Sequence, residues 1–271
     1  MGIYVAGRSN VSINDITMID FKDRGVLFCG RNDNKEEAPT VYAIGNKFYN
    51  NTITNCAAYN TENGIYGRGC LNIGGQTGML IYNNTITQNS RREGYNGWPI
   101  KYYNGGYLND CKIYSNKLIK IPMNNNPGVS GWDFAIELFN ASGLDIYDNT
   151  IQGSIDLNYQ KKGIYSYSIW IHNNIISQPK LNIFIETGIT LEFGTNAVLI
   201  ENNTFKNIGI PFYFTPREGD AISNIVIKNN ACENIGVMGK NHQGYAVMVG
   251  NEGGGTYSIN NFFVAKKFIY R

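Results

Sequence analysis

Three acidic residues, Glu137, Asp156 and Glu192, each lie between two large apolar residues in a short segment that carries no other charge. Successive side chains of a β-strand point to opposite faces, so the apolar neighbours predict that each carboxylate points away from a core. Two carboxylates on one groove can act as the acid and the base, or as the acid and the nucleophile, in glycosidic bond hydrolysis. Whether these three can do so depends on the elements that position them.

A pattern that recurs along the chain predicts those elements. It consists of an apolar residue, any residue, a polar residue that is usually Asn, an Asn, any residue and a second apolar residue. Seven clear copies occur, and their Asn residues are separated by 33, 32, 33, 25, 29 and 27 positions. These residues are Asn51, Asn84, Asn116, Asn149, Asn174, Asn203 and Asn230.

The alternation around each Asn is typical of short strands rather than helices. An Asn tolerates the left-handed backbone of a sharp bend, and stacked Asn side chains can hydrogen-bond from one repeat to the next. Each repeat therefore predicts one coil of a solenoid in which neighbouring coils share an apolar core.

This pattern resembles the right-handed parallel β-helix of the pectate-lyase-like superfamily. The resemblance implies an all-β solenoid of about 8–9 coils with an Asn ladder. We expect residues 1–271 to form a single domain, and the sequence leaves open whether that domain belongs to a longer protein.

The composition excludes other classes of function. The 23 basic and 21 acidic residues give a net charge of +2 with no basic run, so we expect no nucleic-acid partner. No apolar stretch reaches about 18 residues, so we expect no membrane span. The five Cys form no CxxC pair and the two His lack ligand spacing, so we expect buried thiols and no zinc site.

Each coil carries a second strand downstream of its Asn, and the resemblance implies that this strand belongs to the sheet that lines the substrate groove. Alignment of these strands by their flanking apolar residues predicts one outward column across successive coils. Neighbouring strands lie about 4.8 Å apart, so Asp156 should have another carboxylate roughly 5 Å away on either side. Such charges repel, which calls for a proton, a cation or a basic neighbour. The predicted column is Asn72, Lys101, Glu137, Asp156, Glu192 and Tyr213.

Further residues fit a sugar-binding groove, because aromatic rings offer flat apolar faces with polar edges. One step along the strands, the same alignment places an outward column of Tyr103, Phe139, Asn158 and Thr215. Just before their strands lie Trp98, Trp132 and Asp133, and the loop that leads to Trp98 holds Arg91 and Arg92.

Three functions stay open at this point, and the favoured one is a glycoside hydrolase. On adjacent coils, Asp156 would be the nucleophile of a retaining mechanism, with Glu137 or Glu192 as the acid and base. Hydrolysis of this kind requires no cofactor.

The second function is a polysaccharide lyase or uronate C5-epimerase. In that case Glu137, Asp156 and Glu192 would hold a possible Ca²⁺, and Lys101 would be the base. The third is a non-catalytic carbohydrate-binding solenoid, such as an adhesin or part of a tailspike. All three imply a carbohydrate partner and a secreted, cell-surface or periplasmic location, and the sequence does not decide between a monomer and a trimer.

Overall fold

A computed structural model describes residues 1–31, 39–57, 68–89, 97–121, 134–158, 166–178, 187–216, 222–235, 246–249, 260–264 and 269–270. Within these ranges every regular element is a β-strand, and the strands β1–β31, numbered in chain order, form three sheets. No helix of the described part is long and apolar enough to cross a membrane.

Sheet A has nine strands, one from each coil, and presents the face that carries the predicted acids. Its strands are β1 (Ile3–Ala6), β4 (Val26–Cys29), β8 (Gly69–Gly74), β12 (Trp98–Tyr102), β16 (Phe134–Phe139), β20 (Ser154–Asn158), β23 (Thr187–Glu192), β26 (Ile210–Thr215) and β29 (Val247–Val249).

Sheet B has thirteen strands, because several coils contribute two short strands to it. Its strands are β2 (Ser12–Asn14), β5 (Ala43–Ile44), β6 (Lys47–Tyr49), β9 (Gln76–Thr77), β10 (Leu80–Tyr82), β13 (Leu108–Asn109), β14 (Lys112–Tyr114), β17 (Ala141–Ser142), β18 (Asp145–Tyr147), β21 (Tyr167–His172), β24 (Asn196–Glu201), β27 (Ser223–Lys228) and β30 (Asn260–Val264).

Sheet C again has nine strands. They are β3 (Thr17–Ile19), β7 (Thr52–Thr54), β11 (Thr85–Asn89), β15 (Lys117–Ile121), β19 (Thr150–Gln152), β22 (Ile175–Ser177), β25 (Thr204–Lys206), β28 (Ala231–Glu233) and β31 (Ile269–Tyr270).

The three sheets enclose one apolar core that runs the length of the solenoid. Ladder pairs such as β4 with β8 and β14 with β18 are parallel, as stacked coils require. The apolar residue that opens each Asn repeat points inward and is fully buried in every coil. These residues are Phe48, Ile81, Ile113, Ile146, Ile171, Ile200 and Ile227.

The Asn ladder is confirmed, with the stacking and the sharp bend on two adjacent residues. The side-chain oxygen of Asn116 accepts hydrogen bonds from both the backbone N–H and the amide of Asn84, at 3.0 and 2.9 Å. The same pair of bonds links Asn116 to Asn149. The sharp bend falls on the preceding residue, so Ser115 and Asp148 have φ of 54°. Side-chain stacking and the left-handed backbone are thus provided by neighbouring positions.

Candidate functional site

The outward column on sheet A begins as the sequence predicts. Lys101 pairs with Asn72 on one side and with Glu137 on the other, and Glu137 pairs in turn with Asp156. Their flanking residues, such as Ile136 and Leu157, are fully buried. Glu137 and Asp156 therefore lie on neighbouring strands with their carboxylates on the same face.

The prediction that Glu192 continues this column is wrong. Asp156 pairs with Thr190, and Leu157 pairs with Leu191, so the column goes on through Thr190 to Tyr213. The apolar alternation of β23 allows two registers that differ by two residues, and the sequence alignment chose the incorrect one. A shift of two residues leaves Glu192 on the outer face but moves it along the strand, beside Asn158.

Asn158 and Glu192 form a second acidic position on this face. The amide of Asn158 donates a hydrogen bond to Glu192, and Glu192 pairs in register with Thr215. Phe139 pairs with Asn158, so the second predicted column is correct for Phe139, Asn158 and Thr215, but it lacked Glu192 and wrongly included Tyr103. Thr215 is completely buried, whereas Glu192 is partly exposed and accessible from the face.

Lys101 compensates one of the two adjacent acids. Its ammonium group forms an ion pair with Glu137, and the two side chains are only 3% and 9% exposed. The same nitrogen lies 4.1 Å from the ring centroid of Trp98 and 4.5 Å from that of Tyr102. Attraction to both rings adds to the ion pair and fixes the position of the cation.

Tyr102 takes the place that the sequence assigned to Tyr103. The alternation predicts Tyr102 in the core, but the pairing of β12 with β16 ends at Lys101, and the Tyr102 ring stacks on Phe139 at 3.8 Å. Burial, and then the charges of Glu137 and Asp156, raise the pKa of Tyr102 well above its usual value of 10. Tyr103 instead lies under the guanidinium group of Arg24, 5.4 Å from its carbon.

Trp98 is not the open platform that the sequence suggested. It is only 3% exposed, and the ammonium groups of Lys101 and Lys120 lie over its ring, at 4.1 and 5.4 Å. Its role in this structure is to pack against Lys101. Four other predicted binding residues, Arg91, Arg92, Trp132 and Asp133, lie outside the described residues.

Thr190 belongs to a group of hydroxyl residues that the sequence analysis missed. Thr190 donates to Thr187 at 3.0 Å, and Thr187 donates to Ser154 at 3.2 Å. The sequence held a signal for Thr190, because it lies between Ile189 and Leu191. These two residues match Ile155 and Leu157 as well as Leu191 and Phe193 do.

The described carboxylates do not match a calcium site. The carboxylate of Glu137 already pairs with the ammonium group of Lys101, and the register places Thr190, not Glu192, opposite Asp156. Within the described ranges no three His, Cys, Asp or Glu side chains come together closely enough to hold a metal ion.

The stacked coils and their three parallel sheets place this chain in the class of parallel β-helix proteins. Residues 1–213 match the family described as "Right handed beta helix region". The chain therefore belongs to the right-handed β-helix family, and the resemblance drawn from its Asn repeats is confirmed.

Phage tailspikes are among the solved structures that are similar to this chain. The tailspike of E. coli bacteriophage HK620, as an Asp-to-Ala and Glu-to-Ala double mutant in complex with a pentasaccharide, has a TM-score of 0.55 and 12% identity, and covers 98% of this chain and 55% of the tailspike. Its Glu-to-Gln mutant with a pentasaccharide has a TM-score of 0.50, with the same identity and coverage. The Dettilon tailspike has a TM-score of 0.48 and 17% identity, covering 90% of this chain and 55% of its own.

This chain therefore spans about half the length of the tailspikes that it matches. No curated protein sequence matches it. At such low identity the likeness establishes the fold alone.

Proposed function

We propose that the chain binds a saccharide along the outer face of sheet A and hydrolyses its glycosidic bonds, with Asp156 and Glu192 as the two catalytic acids. The observation that carries this proposal is the register of β20 and β23, which brings both acids to one face but on different columns.

The diagonal arrangement supports an inverting mechanism. The Cα atoms of diagonal neighbours on adjacent strands are about 7–8 Å apart. Inverting glycosidases need roughly 6.5–9.5 Å between their carboxyl groups, because a water molecule must fit between one of them and the sugar. The sequence alignment favoured a retaining pair on adjacent coils, and the register is what changes that expectation.

The surroundings of the two acids suggest their roles. Asp156 is 1% exposed, and burial favours the protonated form of a carboxylic acid. Asp156 would give its proton to the departing sugar oxygen. Glu192 accepts a hydrogen bond from Asn158, which favours the carboxylate form, so Glu192 would activate the water.

A saccharide substrate is supported by the aromatic surface and by the fold neighbours. Tyr102 stacked on Phe139, together with partly exposed Tyr213, offers apolar ring surface beside the acids. The HK620 tailspike with the same fold was solved with a pentasaccharide after an Asp and a Glu were replaced. Action outside the cell, on a surface or secreted polysaccharide, follows from this substrate class.

The lyase alternative is disfavoured by one contact. The nitrogen of Lys101 donates to Glu137 and lies against two rings, so it has little access to a substrate proton. Non-catalytic binding by the same face is the remaining alternative, and the following experiment distinguishes the three.

The purified chain would be incubated with a panel of bacterial polysaccharides, with release of reducing ends and ultraviolet absorbance of unsaturated uronates both recorded. We expect reducing ends without that absorbance, and a loss of at least about 100-fold in Asp156→Asn. The control Glu233→Gln, which changes an exposed acid on sheet C, should keep full activity. Full activity in Asp156→Asn would refute the site, unsaturated products would indicate a lyase, and binding without release would indicate a lectin-like solenoid.

A further inference from the structure

A cluster of positive charge lies at the other end of the same face. Arg24 and Arg68 lie just before β4 and β8, on adjacent coils. Both donate through a terminal nitrogen to the same oxygen of Asp23, at 2.9 and 3.1 Å. Two guanidinium groups thus share one carboxylate, and the cluster of Arg24, Arg68 and Asp23 keeps an excess positive charge.

The cluster reaches over the outer face of sheet A. The guanidinium carbon of Arg24 lies 5.4 Å from the ring centroid of Tyr103, which follows the far end of β12. The contact with the Cys29 thiol is the main cause that raises the pKa of Tyr4 to about 12, and Tyr103 makes a smaller contribution. Leu27 lies three residues after Arg24 and pairs with Asn72, and Asn72 pairs with Lys101, so the cluster lies beside the start of the column that leads to the acids.

Two donors of this cluster are unsatisfied. The Nε atoms of Arg24 and Arg68 are buried and have no hydrogen-bond partner among the described residues. Buried polar groups in folded proteins are nearly always hydrogen-bonded, so each such group calls for an explanation. The side chains themselves remain 16% and 18% exposed, which leaves the cluster accessible to solvent.

We propose that Arg24, Arg68 and Tyr103 form a subsite for an anionic sugar, whose carboxylate or sulfate group is held by the two guanidinium groups. Arginine suits this role because its planar fork binds such groups through two parallel hydrogen bonds. Tyr103 supplies a ring surface for the sugar. The strand that follows Arg68, β8, and the strand that contains Asp156, β20, are three strand spacings or about 14 Å apart. The charged sugar therefore lies away from the bond that is cut.

This proposal rests on the proposed saccharide function for the polymer, but its test needs only binding. Affinity electrophoresis would compare two matched pairs of polymers: polygalacturonate with its fully methyl-esterified form, and dextran sulfate with dextran. We expect the anionic member of at least one pair to retard the protein at least tenfold more strongly, and the pair that does so identifies the anionic group.

Three variants give the test its direction. Arg24→Ala with Arg68→Ala should abolish the preference for the anionic polymer, whereas Lys117→Ala, which removes an exposed charge from sheet C, should keep it. Asp23→Asn removes the internal competitor of the anion, so it should strengthen anionic binding severalfold. Unchanged melting temperature and circular dichroism would confirm the fold of each variant.

Equal retardation by the charged and neutral polymers would overturn the proposal. The same holds if Lys117→Ala weakens binding as much as the arginine variants do, or if Asp23→Asn binds less well while still folded. Anionic binding without any cleavage would refute the proposed hydrolase and support this subsite. Cleavage of neutral polymers alone would support the hydrolase and refute the subsite.

Discussion

Glu137 and Asp156 lie side by side on adjacent strands, and the ammonium group of Lys101 contacts Glu137. The two carboxylates are therefore unequal although they share a column and a face. Lys101 and Glu137 form a buried ion pair, while Asp156 faces Thr190 on its other side. This inequality separates a structural acid from the two acids of the proposed reaction.

Replacement of Lys101 by Met should therefore destabilise the chain by roughly 3–5 kcal/mol, because it leaves the Glu137 carboxylate buried without its cation. The double variant Lys101→Met, Glu137→Gln should recover a large part of this loss. Urea unfolding followed by circular dichroism measures both. A double variant as unstable as the single one would mean that the ion pair does not account for the effect.

The reaction should invert the configuration of the anomeric carbon, because Asp156 and Glu192 lie on a diagonal rather than side by side. Proton NMR of the first product formed from a defined oligosaccharide distinguishes the two anomers. Retention would point to Glu137 and Asp156 instead, and in that case Glu137→Gln would lose more activity than Glu192→Gln.

Tyr102→Ala should lower saccharide affinity roughly threefold to tenfold, since it removes the ring stacked on Phe139. Tyr102→Phe keeps the ring and should bind like the wild type. Because the pKa of Tyr102 is raised, its phenol stays protonated up to pH 10, and its contribution to binding should not change on approach to that pH. Calorimetric titration with an oligosaccharide checks both statements, and equal losses in Ala and Phe would assign the effect to the hydroxyl.

Asn116→Ala should cost at least roughly 3 kcal/mol of stability, because Asn84 loses the acceptor of two buried hydrogen bonds. Thr150→Ala, at an exposed position beside the ladder, is the matched control and should change stability little. Thermal unfolding of the two variants tests the ladder directly. Similar melting temperatures would show that neighbouring coils do not depend on it.

Alkaline pH should destabilise the fold through its buried thiols. Burial raises the pKa of Cys111 from 9 to about 12, so the unfolded chain loses this proton first as pH rises. Stability is fully present below pH 9 and falls between pH 9 and 12, by about 1.4 kcal/mol per pH unit for one such group. Cys111→Ala should reduce this slope by that amount in urea titrations at several pH values. An unchanged slope would show that Cys111 does not titrate in this range.

The coils and their order can be predicted from local patterns in the sequence. The Asn repeats and their flanking apolar residues are local patterns, and local patterns set which residues bend, which point inward and which stack. For that reason the pairing of Asn72, Lys101, Glu137 and Asp156 was predicted correctly from inward residues such as Leu71, Ile100, Ile136 and Ile155.

The position of Glu192 and the identity of the ring beside the acids could be read only from the folded structure. Ile189, Leu191 and Phe193 all fit the inward alternation, so two registers of β23 were equally compatible with the sequence, and pairing with β20 selected one. The Tyr102 ring stacks on Phe139 just beyond the point where the pairing of β12 with β16 ends. Both outcomes depend on hydrogen bonds between coils that are distant in the chain, and alternation within one strand carries no information about them.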